Sequence, residues 1–538
     1  MSAMPNLSNM WPRLNLFFFQ SLQLPFALPA ILAYVLLRYI YRKYFYPKFF
    51  TPLKPIPLAT PTPPKNGKEE ATSTRKGVAA LRHAAATIPN NGLLRFYREN
   101  DHSEQVLVTG IKALNEILVL NASSFGKPES VRRRLYSFAG NGLLLAEGET
   151  HKVQRKGLMP AFSFRHIKDL YPIFWSKSRD LVKVLEKEIS GDASSKSDVI
   201  VMRTWATRTT LDILGLAGMD HDFRFLDDPN NLLIQQYEKT QIPYSRTEIL
   251  IGFVLSLFTS NYEAILPLIP IGRVRLLQEG AKYIRQVCRE LIQEKWNKMS
   301  NAESQSGVDI ISAALKSDVF TTENLVDHMM TFLAAGHATT SHALQWSVYA
   351  LCKHQDMQQR LREEVRNHLP SISDPESTVT ANDVDSLSYL HAFCNEVLRF
   401  YPSIPATVRE AMCDTTIAGY RIPKGTGFLI PIGLVNHDPE LWGPTASTFD
   451  PDRWLGEGRG NSGGVKNHLG FLTFLHGPRS CIGSGFAKAE LACLVAAIVG
   501  RFQMELEDPT RKFELSSVGI GTSPKDGVRT RLKILNGW

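Results

Sequence analysis

Hydrophobic positions are unevenly spread along this chain, and the first block is the densest. Residues 14–41 read LNLFFFQSLQLPFALPAILAYVLLRYIY, with Arg38 as the single charge between Leu24 and Ile40. Such a stretch is long enough to span roughly 30 Å of hydrocarbon, although Gln20, Gln23, Pro25 and Pro29 interrupt its first half. Signal peptides carry their charge before the apolar run. Here only Arg13 precedes it, whereas Arg38, Arg42, Lys43 and Lys48 come after it. The pattern therefore predicts a membrane anchor over residues 1–50, with the transmembrane part at about 20–41, in preference to a cleaved signal. The basic flank places the C-terminal side of the anchor in the cytoplasm. Thr51 to Lys65 holds six prolines in fifteen residues, which predicts a stiff, extended linker over 51–70. A plain flexible tether is the alternative.

Beyond residue 70 the periodicity changes. Gln105 to Thr109 alternates as a strand, and Lys112 to Leu120 continues as a short helix. From about 150 to 350 the 3.6-residue period dominates. Met357 to Leu369 is helical and stops at Pro370, and Ser386 to Phe400 is helical and stops at Pro402. Thr415 to Leu434 alternates around Gly419 and Gly425, predicting two or three short strands. Gly456 to Gly470 is a glycine-rich excursion, and Gly483 to Gly500 predicts a last apolar helix. The fold class is mainly α with a small β region. No polar linker breaks the chain after about residue 70, so residues 71–538 read as one catalytic domain.

Charge and cysteine content narrow the chemistry. Lys and Arg exceed Asp and Glu by 61 to 52, a net charge of +9. No run of five or six basic residues occurs, which argues against nucleic acid as a partner. Six cysteines are scattered without a CxxC pair, unlike a disulfide framework or a zinc site. Five of them carry no motif. Cys481 does.

It lies in Phe474-Leu475-His476-Gly477-Pro478-Arg479-Ser480-Cys481-Ile482-Gly483. Gly477 and Pro478 disfavour regular structure before the cysteine, and helix begins after it. A cysteine at a helix N-terminus meets unpaired N–H groups and the positive end of the dipole, which favour thiolate. Gly477 and Gly483 lack the Cβ that would obstruct a flat ligand, and Arg479 offers a fixed cation to a carboxylate. This segment resembles the haem-binding signature of the cytochrome P450 family, FxxGxRxCxG, at all five fixed positions, and it continues through Phe486, Ala487 and Glu490. The resemblance covers about residues 75–538 and is similar to microsomal, fungal members. It implies the cytochrome P450 fold behind an N-terminal transmembrane helix. The cofactor it implies is haem b, iron protoporphyrin IX, with Cys481 as the axial thiolate ligand of the iron.

The same resemblance orders the weaker motifs. Glu396 and Arg399, at i and i+3 on one helix, resemble the family's buried pair, completed by Arg453 of Pro451-Asp452-Arg453-Trp454. Thr331 to Ser341, TFLAAGHATTS, resembles the oxygen-binding stretch. Ala335 and Gly336 leave room there for a local helix opening, and Thr339 matches the threonine that helps deliver protons. The alternative for Thr339 is a hydroxyl bonded to the Ala335 carbonyl. Ala338 stands where the family usually has Asp or Glu, which leaves Thr339, water or His337 as proton routes. For His337, a solvent-facing or core position is the competing assignment. His151 and Arg155 resemble Trp-x-x-x-Arg of the helix that meets the haem propionates, and Arg409 matches a further propionate-pairing arginine.

The function implied is a haem-thiolate monooxygenase. It would insert one oxygen atom into, or oxidatively couple, a lipophilic small molecule such as a terpenoid or polyketide secondary metabolite. O2 is the co-substrate, and electrons come from NADPH through a flavoprotein reductase. Lys152, Lys156, Lys488 and Arg132 to Arg134 are candidates for its docking face. The setting implied is single-pass, in the endoplasmic reticulum membrane with the catalytic domain facing the cytoplasm. Ile249 to Leu257, ILIGFVLSL, is too short to span a bilayer and reads either as a lid dipping into membrane lipid or as a core helix. Redox-neutral isomerase or dehydratase chemistry on the same fold, and a non-catalytic membrane-tethered haem-binding protein, are the alternatives.

Overall fold

A 32-residue helix, Thr322–Lys353, runs through the centre of the protein. The computed structural model describes residues 24–59, 76–98, 103–191, 198–228, 230–240, 245–259, 265–269, 272–300, 309–511, 513–516 and 521–538. Among them the helices of nine residues or more are α1 Leu24–Ile40, α2 Lys76–Thr87, α3 Glu129–Ala139, α4 Gly148–Leu158, α5 Tyr171–Ser190, α6 Met202–Ile213, α7 Leu232–Thr240 and α8 Arg246–Phe258. They continue with α9 Gly272–Ser300, α10 Thr322–Lys353, α11 Gln355–His368, α12 Ser388–Phe400 and α13 Ser484–Arg501.

The central position of α10 stems from its residues. Thr321 caps it by accepting from the Asn324 N–H, and apolar side chains occupy every face, so neighbours cover it all round. It packs against α3, α6, α9, α12 and α13. Helix α13 is equally apolar, buried from Ala489 to Gly500, and lies against α5, α10, α11 and α12. Each fully buried Leu, Val or Phe on these two helices stabilises the fold by about 1.5–3 kcal/mol.

The β region is small and assembled from distant segments. Strands β1 Leu93–Tyr97, β2 Glu104–Val108, β3 Phe125–Gly126, β4 Val199–Val201 and β5 Thr407–Ala411 are succeeded by β6 Thr415–Ile417, β7 Tyr420–Ile422 and β8 Gly427–Ile430. The last are β9 Phe502–Leu506, β10 Leu515–Ser516, β11 Ser523–Pro524 and β12 Arg529–Ile534. The largest sheet has the order β1-β2-β8-β5-β3. Its β2–β8 pair is parallel, with Val106 opposite Phe428, and joins segments far apart in the sequence. A second sheet runs β4-β12-β9.

The N-terminal segment departs from the sequence expectation. Helix α1 continues into a π-helix, Tyr41–Phe50. Residues 51–59 then pack into the catalytic domain and are no free spacer. Leu53, Ile56 and Ala59 are buried, and the Ala59 N–H donates to the Arg95 carbonyl at 2.8 Å while the Arg95 N–H donates to the Pro57 carbonyl at 2.9 Å. Apolar side chains between the prolines decide this outcome. The remainder of the linker, residues 60–70, lies outside the described residues. So do residues 20–23 of the anticipated 20–41 span. Among the described residues no helix is long and apolar enough to cross a membrane. At 17 residues, α1 is about 25 Å long.

Helix α8 carries the ILIGFVLSL stretch, and the core-helix alternative does not hold. Ser245 and Glu248 form a capping box at its start. Ile249, Leu250, Phe253, Val254 and Phe258 are exposed, and the helix packs against α1.

A buried ion cluster fixes the loops beneath the cysteine. Glu396, fully buried on α12, accepts from Arg399 Nε at 2.8 Å and Nη2 at 2.7 Å, and from Arg453 Nε at 3.1 Å. The Trp454 indole at 2.9 Å and the Asp450 N–H at 2.8 Å complete its shell. Arg399 also donates to the carbonyls of Asn436, Ala446 and Thr448. Removing one partner of such a buried pair costs about 3–5 kcal/mol. Glu396→Ala is expected to lose that much stability in urea unfolding and to purify without haem; a normally loaded, normally stable variant would exclude the structural role.

Candidate active site

The cysteine loop is shaped by backbone constraints that its glycines and proline meet. Gly477 opens a short 3-10 turn with Pro478 inside it. Its φ is +75°, and a Cβ there would collide with the Leu118 carbonyl oxygen, so the protein itself demands glycine. Gly483 differs. A Cβ there would meet only the Phe162 ring at 3.7 Å, so no protein contact requires the glycine, and the space over it is open to a flat ligand. The Cys481 N–H donates to the Phe474 carbonyl at 2.9 Å, closing the loop. Phe474 itself is half-buried against the core, and α13 starts three residues after the cysteine.

Cys481 reaches open space although it lies deep in the protein. Burial pushes its thiol pKa up, while the Gly483 N–H and the positive charge of Arg155 act in the opposite sense. Cys288, Cys352, Cys394 and Cys493 are instead closed into the core. Cys481 is the one that combines thiolate-stabilising groups with access.

Beside the loop the structure gathers cations. Arg479 pairs with the Glu147 carboxylate and bonds the Ala146 carbonyl. His151, on α4, is buried; its pKa is lowered to about 4 by burial, then by Arg479, Arg155 and Lys127, so the imidazole is neutral and keeps one N–H to donate. Arg409, on β5, donates to the Val408 carbonyl at 2.8 Å, and burial lowers its pKa to about 10. Lys127 joins them, brought down to about 7 by burial and then by Arg409. Glu147 is the one carboxylate among the charges acting on Lys127, Arg409 and Arg479. Desolvated cations in excess of carboxylate are stabilised by an incoming anion, and the paired propionates of a haem supply two. The donor set therefore fits that cofactor.

Lys127 and Glu147 are not evident as site residues from sequence motifs. Each is an isolated charge beside a glycine, in FGKPES and LLAEGET, a faint signal that gains meaning once β3 and α4 bring the two together. Indeed the Lys127 N–H donates to Glu147 Oε1 at 3.0 Å. Arg155 adds its charge to His151 and Arg479 and also holds the cysteine loop: Nη1 donates to the Ser480 carbonyl at 2.8 Å and Nη2 to the Ser480 hydroxyl at 3.4 Å.

Helix α10 places Thr331–Ser341 in its middle without a break, so the expected local opening at Ala335 and Gly336 is not formed. A Cβ on Gly336 would press on Leu214 at 3.0 Å, and that packing accounts for the glycine. The Thr339 hydroxyl donates to the Ala335 carbonyl at 2.9 Å, the local bond that competes with a catalytic role, and the Thr339 carbonyl accepts from the Ser403 hydroxyl at 2.8 Å. His337 is core-packed. Its Nδ1 bonds the Leu333 carbonyl, its ring stands edge-on to Tyr237 at 5.2 Å, and burial brings its pKa down to about 4. A neutral, pinned imidazole is a poor proton carrier near neutral pH.

Of the basic residues considered for partner docking, Lys488 is not on an open face; it sits over the rings of Phe471 and Phe474. Arg132 and Arg133 pair with Glu129. Lys152 and Lys156 remain exposed along α4 with Val153 between them.

Known proteins resemble this chain in sequence and fold. The cytochrome P450 family model matches residues 96–528. The cytochrome P450 monooxygenase sphH of Aspergillus fumigatus is 49% identical over 462 residues, covering 86% of this chain and 84% of its own. The monooxygenase FSL4 of Gibberella zeae is 39% identical over 496 residues, covering 88% and 87%. In fold, the crystal structure of the cytochrome P450DA heme domain superposes with a TM-score of 0.69 over 89% of this chain and 97% of that one, at 22% identity. The chain belongs to the cytochrome P450 family, whose members are haem-dependent, oxygen-incorporating oxidoreductases.

Proposed function

We propose that this P450 monooxygenase is a membrane-associated enzyme of fungal secondary metabolism, with Cys481 as the haem ligand, acting on a lipophilic skeleton such as a terpenoid or polyketide. The observation that carries the ligand assignment is Cys481 itself, an exposed residue whose sulfur is flanked by the Gly483 N–H and Arg155. Haem, when bound, supplies the activation of O2 that no side chain provides. The protein's part is orientation. His151, Lys127, Arg409 and Arg479 would hold the propionates, and the Phe474–Gly483 loop fixes the sulfur. The unbroken α10 presents Thr339 next to Ala335.

The substrate reading is supported by the apolar character of α10, where Met329, Phe332 and Leu333 are buried, and of the outward face of α8. Membrane association is supported by α1 and α8, which contact each other and expose Ile31, Leu36, Leu37, Leu250 and Phe253. Contiguous exposed apolar surface of this kind marks lipid or protein contact. Electrons from NADPH through a flavoprotein reductase are the family's general supply. The exposed α4 face around Lys152, Val153 and Lys156, with Met159 and Phe164 beyond it, offers the basic and apolar mix that an acidic partner recognises.

Cys481→Ser tests the ligand assignment. The reduced carbonyl complex of the intact protein is expected to show the thiolate-type Soret band and the variant to lose it together with activity; retained oxidation in the serine variant would refute the assignment.

Thr339→Ala is expected to lower product formation by about 10²-fold while NADPH consumption continues and hydrogen peroxide is released. Unchanged product per NADPH would remove Thr339 from proton delivery.

Leu250→Ser and Phe253→Ser should each weaken sedimentation with phospholipid vesicles by about 1.5–3 kcal/mol, and equal binding by all three proteins would count against α8 as a lipid contact.

A further inference from the structure

Three histidines stand on α10, and their rings are used differently. His328 Nδ1 bonds the Asn324 carbonyl at 2.7 Å and His337 Nδ1 bonds the Leu333 carbonyl, each one turn back on the same helix. His342 makes no such bond. Among the described residues neither of its ring nitrogens has a hydrogen-bond partner, and Nδ1 is sealed from solvent. A braced loop does the sealing. A Cβ on Gly521 would lie 3.0 Å from that Nδ1 and would collide with the Ser403 carbonyl oxygen, at a φ of +93°, so only glycine lets the backbone pass here. The Thr522 N–H donates to the same Ser403 carbonyl at 2.8 Å, and the Ser403 hydroxyl donates to the Thr339 carbonyl at 2.8 Å. Arg203 Nη2 holds the Ser523 hydroxyl at 3.1 Å. The other edge of the ring is open. Between His328 and Val348 every residue of α10 is buried except Ala335, Gly336, Thr339 and His342. Ala335, Thr339 and His342 follow the i, i+4, i+7 spacing of a single helix face. Nε2, unlike Nδ1, is not sealed, so it is the nitrogen that this face offers.

We infer that His342 is a substrate-recognition residue: its Nε2–H, on the face shared with Ala335 and Thr339, donates a hydrogen bond to a carbonyl or hydroxyl oxygen of the substrate and so fixes which way round the skeleton lies along α10. The inference rests on the proposed lipophilic substrate and on Cys481 as ligand, and it adds that the skeleton is already oxygenated. Burial, then Arg203 and His337, bring the His342 pKa down to about 3, so the ring is neutral and carries one proton. A sealed N–H without an acceptor is rarer and costlier than a sealed lone pair, which places that proton on Nε2. The groups around it are apolar, Ala335 on the same face and Ile404 against Gly521. Apolar walls sort molecules by shape, whereas a single donor among them sets orientation. A molecule without the oxygen would leave that donor unpaired, and the loss of affinity is the basis of the discrimination.

The test is a difference-spectral binding titration of the holoenzyme with two matched pairs of probes, nootkatone against valencene and 2-pentadecanone against pentadecane. In each pair a carbonyl replaces one CH2. Wild type, His342→Leu and His342→Gln are compared, with haem content and the reduced carbonyl band recorded for each; His342→Phe stands in should the leucine protein lose its haem. Wild type is expected to bind the ketone of at least one pair about tenfold more tightly than its hydrocarbon. His342→Leu should abolish that preference while its affinity for the hydrocarbon holds, and His342→Gln, which keeps an N–H donor, should retain part of it. A ratio near one in wild type would overturn the inference. So would the same ratio in wild type and the apolar variant, including the case in which both members of a pair weaken equally, the mark of a packing role. Binding of none of the four probes by a wild type with the thiolate-type band would strike the lipophilic-substrate reading and the inference with it. A wild type lacking that band would strike the Cys481 assignment, so the failures are distinct.

Discussion

The Glu396 carboxylate is the interaction on which the rest of this structure depends. It is wholly buried, and five hydrogen bonds converge on it from Arg399, Arg453, Trp454 and the Asp450 backbone. Satisfied to that degree, a buried charge organises its surroundings; left short of partners, it would be among the most destabilising groups in the protein. The order passes outward. Arg399 grips the Asn436 carbonyl, and the Asn436 side chain bonds the Thr473 hydroxyl and the Leu472 N–H. Thr473 in turn bonds the Leu398 carbonyl of α12. The next residue, Phe474, supplies the carbonyl that receives the Cys481 N–H. A few hydrogen bonds thus connect a salt cluster in the core to the position of one sulfur atom.

The opposite wall of the site is organised by repulsion. Lys127, Arg409 and Arg479 crowd together around Glu147 with their charges disfavoured by burial. Such a cluster is a preformed receptor: the desolvation penalty is already met by the packing of β3, β5 and α4, and an anion recovers it on binding. Neutral His151 contributes a donor there without adding to the repulsion. The sulfur wall and the cation wall meet on α4, which is why one turn of that helix serves both.

Much of this was legible in the sequence, for identifiable reasons. Local constraints read well. The cysteine loop needs its glycine and proline for backbone geometry, and Pro402 comes two residues after the end of α12. The alternation after Thr415 resolved into β6, β7 and β8. Non-local constraints read poorly. Strand β5, Thr-Val-Arg-Glu-Ala, has no alternation of its own and is a strand because β8 and β3 flank it. Trp454 and Asn436 carry no motif, and their roles appear only when α12 and the loops after it close on Glu396. Lys127 was invisible for the same reason. For His337, within a motif, the sequence left a proton route and a core position both open, and packing against Tyr237 decides for the core. Arg155 shows a subtler limit: the spacing on α4 is right, but spacing does not reveal its bonds to Ser480.

Residues 51–59 belong to the sheet as much as to the leader, since Leu53 and Ile56 fill the core beside β1 and the Pro57 carbonyl receives the Arg95 N–H. The apolar helix upstream is consequently fixed to the body, where it also contacts α8. For anyone trimming the protein for crystallisation, the natural cut lies before Thr51; a start at residue 60 would remove a strip of core from the β1 edge.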